Sequence, residues 1–208
     1  MIIYGSSMSP FVRKTMVFAT EKGLDFEVRQ TAAPEFKTIS PFGKMPGFAD
    51  GDFAISDSTA IITYLDAAHP QPNLIPTDPK TRARTIWYEE YGDTIVAACG
   101  GKIFFNRVVS QKFFGRPGDL AAADEAQKTE FPRLMDYLES VVPASGFLVE
   151  DRFTLADIAV ASPLATLALG DCHIEAAKHP KAAAYVARIW QRPSFAPLIA
   201  AEKAALAG

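Results

Sequence analysis

The sequence predicts two domains: a small α/β domain over residues 1–75 with a four-stranded mixed sheet, and an all-α helical bundle over residues 76–208. Three observations predict this division. Strand-like and helix-like segments alternate through the first part of the chain, a proline-rich connector follows them, and no convincing strand comes after that connector. The length of 208 residues allows one or two domains and is enough to bury a sizeable core.

The first domain begins with a strand, a helix and a second strand. Ile2 to Tyr4 is a β-branched and aromatic run ended by Gly5, and Ser9-Pro10 has the residue types preferred where a helix begins. The segment from Asp25 to Arg29 alternates as a half-buried strand does. Because a strand–helix–strand unit pairs its strands in parallel through a right-handed crossover, we expect these two strands to share a sheet.

A short helix over residues 34–41 and a hairpin complete the sheet. Asp50-Gly51-Asp52 separates two apolar runs, 45–49 and 53–55, and an Asp-Gly between such runs predicts a hairpin turn. Ser56-Asp57-Ser58 then caps a further helix. The predicted order is therefore β-α-β-α-β-β-α, with helices on the faces of the sheet.

Five helical stretches are predicted after the proline-rich connector. Gly100-Gly101 should break or bend the first, and Pro132 should bend or split the second. Thr154 and Asp157 have the spacing of a capping box at the start of a helix that is apolar nearly all round, which is typical of a buried helix. The stretches cover residues 80–110, 119–141, the segment that Thr154 opens, 176–192 and 194–206.

Composition and charge exclude several classes of protein. Apolar residues make up 49% of the chain and charged residues 22%, as in ordinary globular domains, and the net charge of −3 gives no basic surplus for nucleic acid. Cys99 and Cys172 are too few for a disulfide scaffold and too far apart for a dithiol or metal site, so we expect two free buried thiols and no metal. With no signal-peptide pattern and no membrane span, we expect a cytoplasmic protein.

Four local motifs resemble those of the cytosolic glutathione S-transferase family. Ser9-Pro10-Phe11 resembles the segment after the first strand in serine-type and cysteine-type members, and Gly43-Lys44-Met45-Pro46 resembles the Gly-Lys-Val-Pro turn. The segment from Asp57 to Ile61 resembles the Glu/Gln-Ser-x-Ala-Ile segment, and that from Phe153 to Ala159 resembles the capped start of the buried helix. They occur in family order along nearly the whole chain, and they resemble a serine-type bacterial-like member.

The resemblance implies a thioredoxin-like glutathione-binding domain followed by the helical domain. It also implies a hydroxyl that keeps the glutathione thiol ionised. A free thiol titrates near pH ~8.5, a hydrogen bond to an ionised group contributes about 1.5–3 kcal/mol, and a helix N-terminus adds about 0.3–1 kcal/mol. Since one pKa unit is about 1.4 kcal/mol, the thiol pKa could fall by roughly one to three units. Ser9 is our candidate, with Ser7 as its rival; the alternative is that Ser9 is only a helix cap.

The other glutathione contacts also follow from the resemblance. The bond between Met45 and Pro46 should be cis, with the Met45 backbone pairing with the cysteinyl part of glutathione as an added strand would. Ser58 and the first-turn donors suit the γ-glutamyl carboxylate, and Asp57 suits its ammonium group. Lys44, and less so Lys37, could pair with the glycyl carboxylate. Phe11 completes the binding set. Each of these residues could instead be an ordinary cap, turn or solvated residue.

An apolar electrophile should bind between the domains. Tyr88, Tyr91, Phe104 and Phe105 could line its pocket, although aromatic residues at helical spacing are more often core. Arg13 could hold an acidic partner or be solvated.

The predicted activity is a glutathione transferase that ionises glutathione and adds it to a small hydrophobic electrophile, without a cofactor other than this co-substrate. The absence of a cysteine after the first strand argues against a cysteine-type reductase, whereas a glutathione-dependent peroxidase or isomerase stays open. A non-catalytic interaction protein on the same fold is the remaining alternative. The resemblance implies a homodimer.

Overall fold

A computed structural model describes residues 1–207. The chain forms two compact units, Met1–Ile75 and a second that begins at Pro76.

The first unit is a four-stranded mixed sheet with helices. Its strands lie in the order β2-β1-β3-β4, with β1 parallel to β2 and the other neighbours antiparallel. The predicted parallel pair and the predicted Asp-Gly hairpin are both confirmed, and Gly51 takes the positive φ of 59° that the tight turn requires. The elements are β1 (Ile2–Tyr4), α1 (Pro10–Glu21), β2 (Glu27–Arg29), α2 (Phe36–Ile39), β3 (Gly47–Asp50), β4 (Phe53–Ser56) and α3 (Ser58–Ala68).

A buried lysine joins the C-terminal ends of α1 and α3. The side chain of Lys22 is fully buried, and its Nζ atom donates to Asp66 Oδ1 at 2.7 Å. The same ammonium group donates to the carbonyl oxygens of His69 and Pro72, each at 2.8 Å. One cation therefore satisfies a carboxylate and two carbonyls, and it ties the end of α1 to the segment that follows α3.

The second unit is helical throughout, as predicted. Residues 79–114 form one continuous helical run in which π-helical segments alternate with α-helix. The elements of this run are α4 (Pro79–Glu90), a π segment (Tyr91–Val96), α5 (Ala97–Phe104), a second π segment (Phe105–Val109) and α6 (Ser110–Phe114). The remaining helices are α7 (Leu120–Thr129), α8 (Phe131–Val141), α9 (Leu155–Leu169), α10 (Pro180–Trp190) and α11 (Ala196–Ala207).

The predicted break at Gly100-Gly101 is wrong, because both glycines lie inside α5. The departures from α-helical geometry occur in the π segments on either side. Gly92, in the first π segment, approaches α9 so closely that a Cβ atom there would lie 2.3 Å from the Ala159 carbonyl oxygen. Gly100 packs on Leu167, where a Cβ would fit at an ordinary 3.4 Å. The glycine at position 92 therefore allows two helices to pack closely and does not break the helix.

The predicted division at Pro132, the predicted buried helix and its capping box are confirmed. The chain divides at Glu130, between α7 and α8, where Pro132 enters the first turn of α8. Helix α9 is almost entirely buried, and Thr154 and Asp157 form its capping box. The Asp157 carboxylate also accepts the Leu148 N–H at 3.0 Å and the Tyr185 hydroxyl at 3.1 Å. Both cysteines are free and buried. Within residues 1–207, no helix is long and apolar enough to span a membrane.

Candidate active site

A cavity of about 580 Å³ opens in the first unit. This volume is within the range of small-molecule sites. Four separate stretches of the chain meet there: the start of α1, the loop between α2 and β3, the end of β4 and the start of α3. The lining residues are Ser9, Phe11, Ser40, Phe42, Gly43, Lys44, Met45, Pro46, Ser56, Asp57 and Ser58.

Ser9 occupies the N-cap of α1 without acting as a side-chain cap. Its backbone is extended (φ −71°, ψ 127°), and its carbonyl oxygen accepts the Arg13 N–H at 3.0 Å, as an N-cap residue does. Its hydroxyl, however, makes no capping hydrogen bond. Ser9 therefore lines a cavity at the positive end of a 12-residue helix, and its hydroxyl is not used to cap that helix.

The loop that carries Met45 lies against the loop after β1. Gly5 has φ of 140°, and a Cβ atom there would lie 2.6 Å from Val12 Cγ2 and 3.1 Å from Met45 Cβ. Only glycine allows this approach without displacing its neighbours. The peptide bond between Met45 and Pro46 is cis, as expected. Among the described residues, neither the N–H nor the C=O of Met45 has a hydrogen-bond partner.

Asp57 combines a capping role with a free carboxylate oxygen. Its Oδ1 accepts the Thr59 N–H at 2.9 Å and the Ala60 N–H at 3.4 Å, which caps α3, whereas Oδ2 has no partner among residues 1–207. Its φ of 82° is unusual for a residue other than glycine. Such backbone strain tends to occur at ligand sites. Ser58, the first residue of α3, is 3% exposed and lines the cavity beside it.

The cavity brings together seven of the nine residues predicted to bind or activate glutathione. Ser7 lies in the turn before Ser9 and Lys37 lies exposed on α2, and neither lines the cavity. Lys44 is exposed, and its ammonium group has no hydrogen-bond or ion-pair partner in the described part of the chain. Arg13 is fully buried, which excludes the solvated alternative.

Four lining residues were missed by sequence reasoning: Ser40, Phe42, Gly43 and Ser56. Gly43 belongs to the Gly43–Pro46 turn and Phe42 directly precedes it, so their position in or beside this motif was a usable signal. Phe42 is 91% exposed, which sequence patterns do not predict for a large aromatic residue.

Comparison with known proteins assigns both units. The family model described as "Glutathione S-transferase, N-terminal domain" matches residues 3–73, and the one described as "Glutathione S-transferase, C-terminal domain" matches residues 105–202. A glutathione S-transferase of Hyoscyamus muticus is 30% identical over 96% of this chain and 97% of its own length.

The chain belongs to the glutathione S-transferase family. Glutathione S-transferase 3 of Zea mays is 28% identical over 96% of this chain and 93% of its own length. The crystal structure of a glutathione S-transferase from Rhodospirillum rubrum F11 superimposes with a TM-score of 0.86 at 24% identity, covering 95% of this chain and 90% of that one. The predicted fold class, a thioredoxin-like domain followed by a helical domain, and the predicted transferase class are both confirmed.

In this member of the glutathione S-transferase family, the residues predicted to contact an electrophile all belong to the helical unit. Tyr88, Tyr91 and Phe104 are buried, and burial raises the pKa of both tyrosines above the usual value. The Tyr91 hydroxyl donates to the Leu134 carbonyl oxygen at 2.8 Å. Phe105 is 38% exposed and its ring centre lies 6.1 Å from that of Phe114. The electrophile assignment of these four residues stays a prediction.

The helical unit has a cavity of its own, of about 440 Å³, lined by Tyr91 together with Trp87, Cys99 and Tyr137 among others. Burial raises the pKa of Cys99 to about 11, so this thiol is protonated at neutral pH and is not an activated nucleophile. In the described part of the chain, no group of three or more His, Cys, Asp or Glu residues is arranged to hold a metal ion.

Proposed function

We propose that this chain is a serine-type glutathione transferase in which the Ser9 hydroxyl stabilises the thiolate of bound glutathione. One observation carries the proposal: Ser9 lines a ligand-sized cavity at the N-terminus of α1, and its hydroxyl makes no capping hydrogen bond. A serine that only capped the helix would direct its oxygen to the N–H groups of the first turn. Ser7, outside the cavity lining, is the weaker candidate.

The chemistry that Ser9 supplies is a lowered thiol pKa. A hydroxyl donor stabilises the thiolate and not the thiol, so the hydrogen bond and the positive end of α1 both favour ionisation. Contributions of about 1.5–3 kcal/mol and about 0.3–1 kcal/mol would lower a thiol pKa of ~8.5 by roughly one to three units. The thiolate would then be a major species of bound glutathione near pH 7.

The remaining lining residues suit the rest of the tripeptide. The first turn of α3 and the Ser58 hydroxyl would receive the γ-glutamyl carboxylate, and the free Oδ2 atom of Asp57 would accept from its ammonium group. The unpaired N–H and C=O of Met45 would pair with the cysteinyl backbone. Lys44 would attract the glycyl carboxylate.

In the proposed reaction, the sulfur lone pair of the thiolate forms a bond to an electrophilic carbon. In a displacement, the bond to the leaving group breaks and that group departs with its electron pair. In an addition, the resulting carbanion takes a proton from solvent. The protein contributes a higher thiolate fraction and a fixed position for the sulfur, rather than a covalent intermediate of its own.

The test is isothermal titration of the protein with reduced glutathione, combined with the ultraviolet absorbance of the thiolate as a function of pH. The expected result is binding with a thiol pKa below that of free glutathione, which Ser9→Ala raises by at least one unit while glutathione still binds. Ser7→Ala, the matched control in the same loop, should leave the bound thiol pKa unchanged. An unchanged pKa in Ser9→Ala, with a change in Ser7→Ala, would transfer the role to Ser7.

Two further outcomes would revise the function itself. A wild-type protein that does not bind glutathione at millimolar concentration would favour a non-catalytic interaction protein. Turnover of peroxides, but not of halogenated or unsaturated electrophiles, by the glutathione-loaded protein would favour a peroxidase.

We also propose that the chain forms a homodimer. The first helical run of the second unit exposes three large apolar side chains, those of Ile86, Trp87 and Ile95. Because such side chains are costly to leave in water, they support an apolar interface. Light scattering of the purified protein should give twice the mass of the chain. A monomer at micromolar concentration would contradict the proposal.

A further inference from the structure

We propose that Ser40 is a positioning residue for glutathione binding: its hydroxyl orients the peptide unit that presents the Met45 N–H to the cavity. The inference rests on the proposed function and adds a role for a residue that the sequence motifs did not indicate.

Ser40 closes the loop between α2 and β3 through three hydrogen bonds. Its N–H donates to the Phe36 carbonyl oxygen at 2.8 Å, and its own carbonyl oxygen accepts the Gly43 N–H at 2.9 Å. Its hydroxyl donates to the Lys44 carbonyl oxygen at 2.6 Å. The residue is 2% exposed although it lines the cavity, so it forms the base of this loop.

The hydrogen bond to Lys44 controls the direction of the next N–H. The peptide unit between Lys44 and Met45 is planar and trans, so its C=O and N–H point in opposite directions. When the Ser40 hydroxyl holds the Lys44 carbonyl oxygen, it also directs the Met45 N–H away from Ser40. That N–H has no partner among the described residues and belongs to a residue that lines the cavity.

Met45 packs beside Gly5 at the C-terminal end of this peptide unit, but little else restrains the loop on its N-terminal side. Phe42 is 91% exposed, Gly43 has a positive φ of 66° with no atom within 4 Å of the position of a Cβ, and the Lys44 side chain is exposed without a partner. The loop tip is therefore poorly packed, and the Ser40 hydroxyl supplies its main side-chain restraint. Without it, the Met45 peptide would sample several orientations, and ordering it would reduce the affinity for glutathione.

The predicted effect is on binding and not on thiol ionisation. Loss of one hydrogen bond that preorganises the site should weaken glutathione binding by about three- to tenfold. The pKa of the bound thiol should stay as in the wild type, because Ser9 and α1 are untouched. Ser9→Ala should show the opposite pattern, with a changed thiol pKa and a smaller change in affinity.

The experiment compares the binding of reduced glutathione and S-methylglutathione to the full-length wild type, Ser40→Ala, Ser40→Cys and Ser110→Ala by isothermal titration. S-Methylglutathione has no ionisable thiol, so it reports on backbone recognition alone. The expected result is an equal weakening for both ligands in Ser40→Ala. Ser40→Cys keeps a side chain of similar shape with a weak hydrogen-bond donor, so it should lose less affinity for both ligands than Ser40→Ala does.

Ser110→Ala is a matched control, because Ser110 is also 2% exposed and its hydroxyl donates to the Arg116 and Pro117 carbonyl oxygens of a loop in the helical unit. It should bind both ligands as the wild type does. Wild-type affinity in Ser40→Ala would overturn the inference and leave the proposed function intact. A larger loss for glutathione than for S-methylglutathione would also overturn it, since Ser40 would then act on the thiol. No binding of glutathione by the wild type would overturn the proposed function together with this inference.

Discussion

The buried ammonium group of Lys22 offers the sharpest test of what stabilises the first unit. We expect Lys22→Met to be strongly destabilising, although methionine fills a similar volume and keeps an apolar stem. The substitution leaves the Asp66 carboxylate, whose side chain is 17% exposed, without its cation, and it leaves the His69 and Pro72 carbonyl oxygens without their donor.

The magnitude follows from these three losses. Removing one member of a buried ion pair costs about 3–5 kcal/mol, and the partial exposure of Asp66 favours the lower end of that range. Each carbonyl oxygen left without its hydrogen-bond donor adds up to about 1–3 kcal/mol to the loss of stability, unless a water molecule replaces the donor. We therefore expect Lys22→Met to lower the free energy of unfolding by about 3 kcal/mol or more. The double variant with Asp66→Leu should lose about 1–2 kcal/mol, because it removes the stranded charge.

The assay must follow the first unit specifically. Both tryptophans, Trp87 and Trp190, belong to the second unit, so their fluorescence would not report on it directly. Native-state hydrogen exchange at the amides of α1 and α3 follows the first unit, and far-UV circular dichroism in urea gives the stability of the chain as a whole. Lys37→Met, at an exposed lysine, should stay within about 0.5 kcal/mol of the wild type. A change below about 1 kcal/mol in Lys22→Met, or a double variant less stable than that single variant, would refute the reasoning.

Three other predictions follow from single residues. Burial raises the pKa of Asp157 to about 6 from 3.8, so the folded protein holds this proton more tightly than the unfolded chain. The free energy of unfolding should then fall by about 3 kcal/mol as the pH rises from ~3 to ~7, and urea titrations of Asp157→Asn across this window should lack that decline. Asp57→Asn should weaken glutathione binding about fivefold or more while the melting temperature changes little, because asparagine still caps α3 but loses the charge; equal affinity by calorimetry would contradict this. Lys44→Met should weaken glutathione binding by at most about fivefold, as for an exposed ion pair, and should not change the binding of γ-glutamylcysteine, which lacks the glycyl carboxylate.

Local sequence patterns predicted most of the helices, strands and turns, because the local preference of each of these segments agrees with its place in the tertiary structure. The parallel pairing of β1 with β2 followed from one crossover unit, the pairing of β3 with β4 followed from one Asp-Gly turn, and the division of the second helical stretch followed from Pro132. The failure at Gly100-Gly101 has a clear reason. Glycine lowers helix propensity by about 1 kcal/mol, but burial of a long helical run against α9 outweighs that preference. The π segments have no sequence signal that we could have used.

The sequence predicted which residues would gather at the candidate site, but it predicted their relative positions only in part. Seven of the predicted residues line one cavity because the motifs occupy loop and helix-start positions that the fold brings together. The choice between Ser7 and Ser9 depends on the turn before α1, which places Ser9 and not Ser7 in the cavity lining, and it stays a prediction. The role of the Ser40 hydroxyl was missed because it depends on a hydrogen bond to the carbonyl oxygen of Lys44, four residues further along the chain. In the sequence, Ser40-Pro41 indicates only that a helix ends there.

The π segments also determine which insertions and deletions the helical unit can tolerate. A π turn holds one residue more than an α turn, and one residue corresponds to about 100° of rotation around the helix axis. Deleting one residue between Tyr91 and Val96 would allow a regular α-helix that keeps the side chains from Ala97 onward facing as they do now. If instead all six residues of this segment adopted α-helical geometry, every side chain from Ala97 onward would turn by that angle. Ile103, now fully buried, would leave the core, and charged Lys102 would rotate as well. With its present residues, the chain therefore needs the π segment so that the apolar side chains before and after it both face the core.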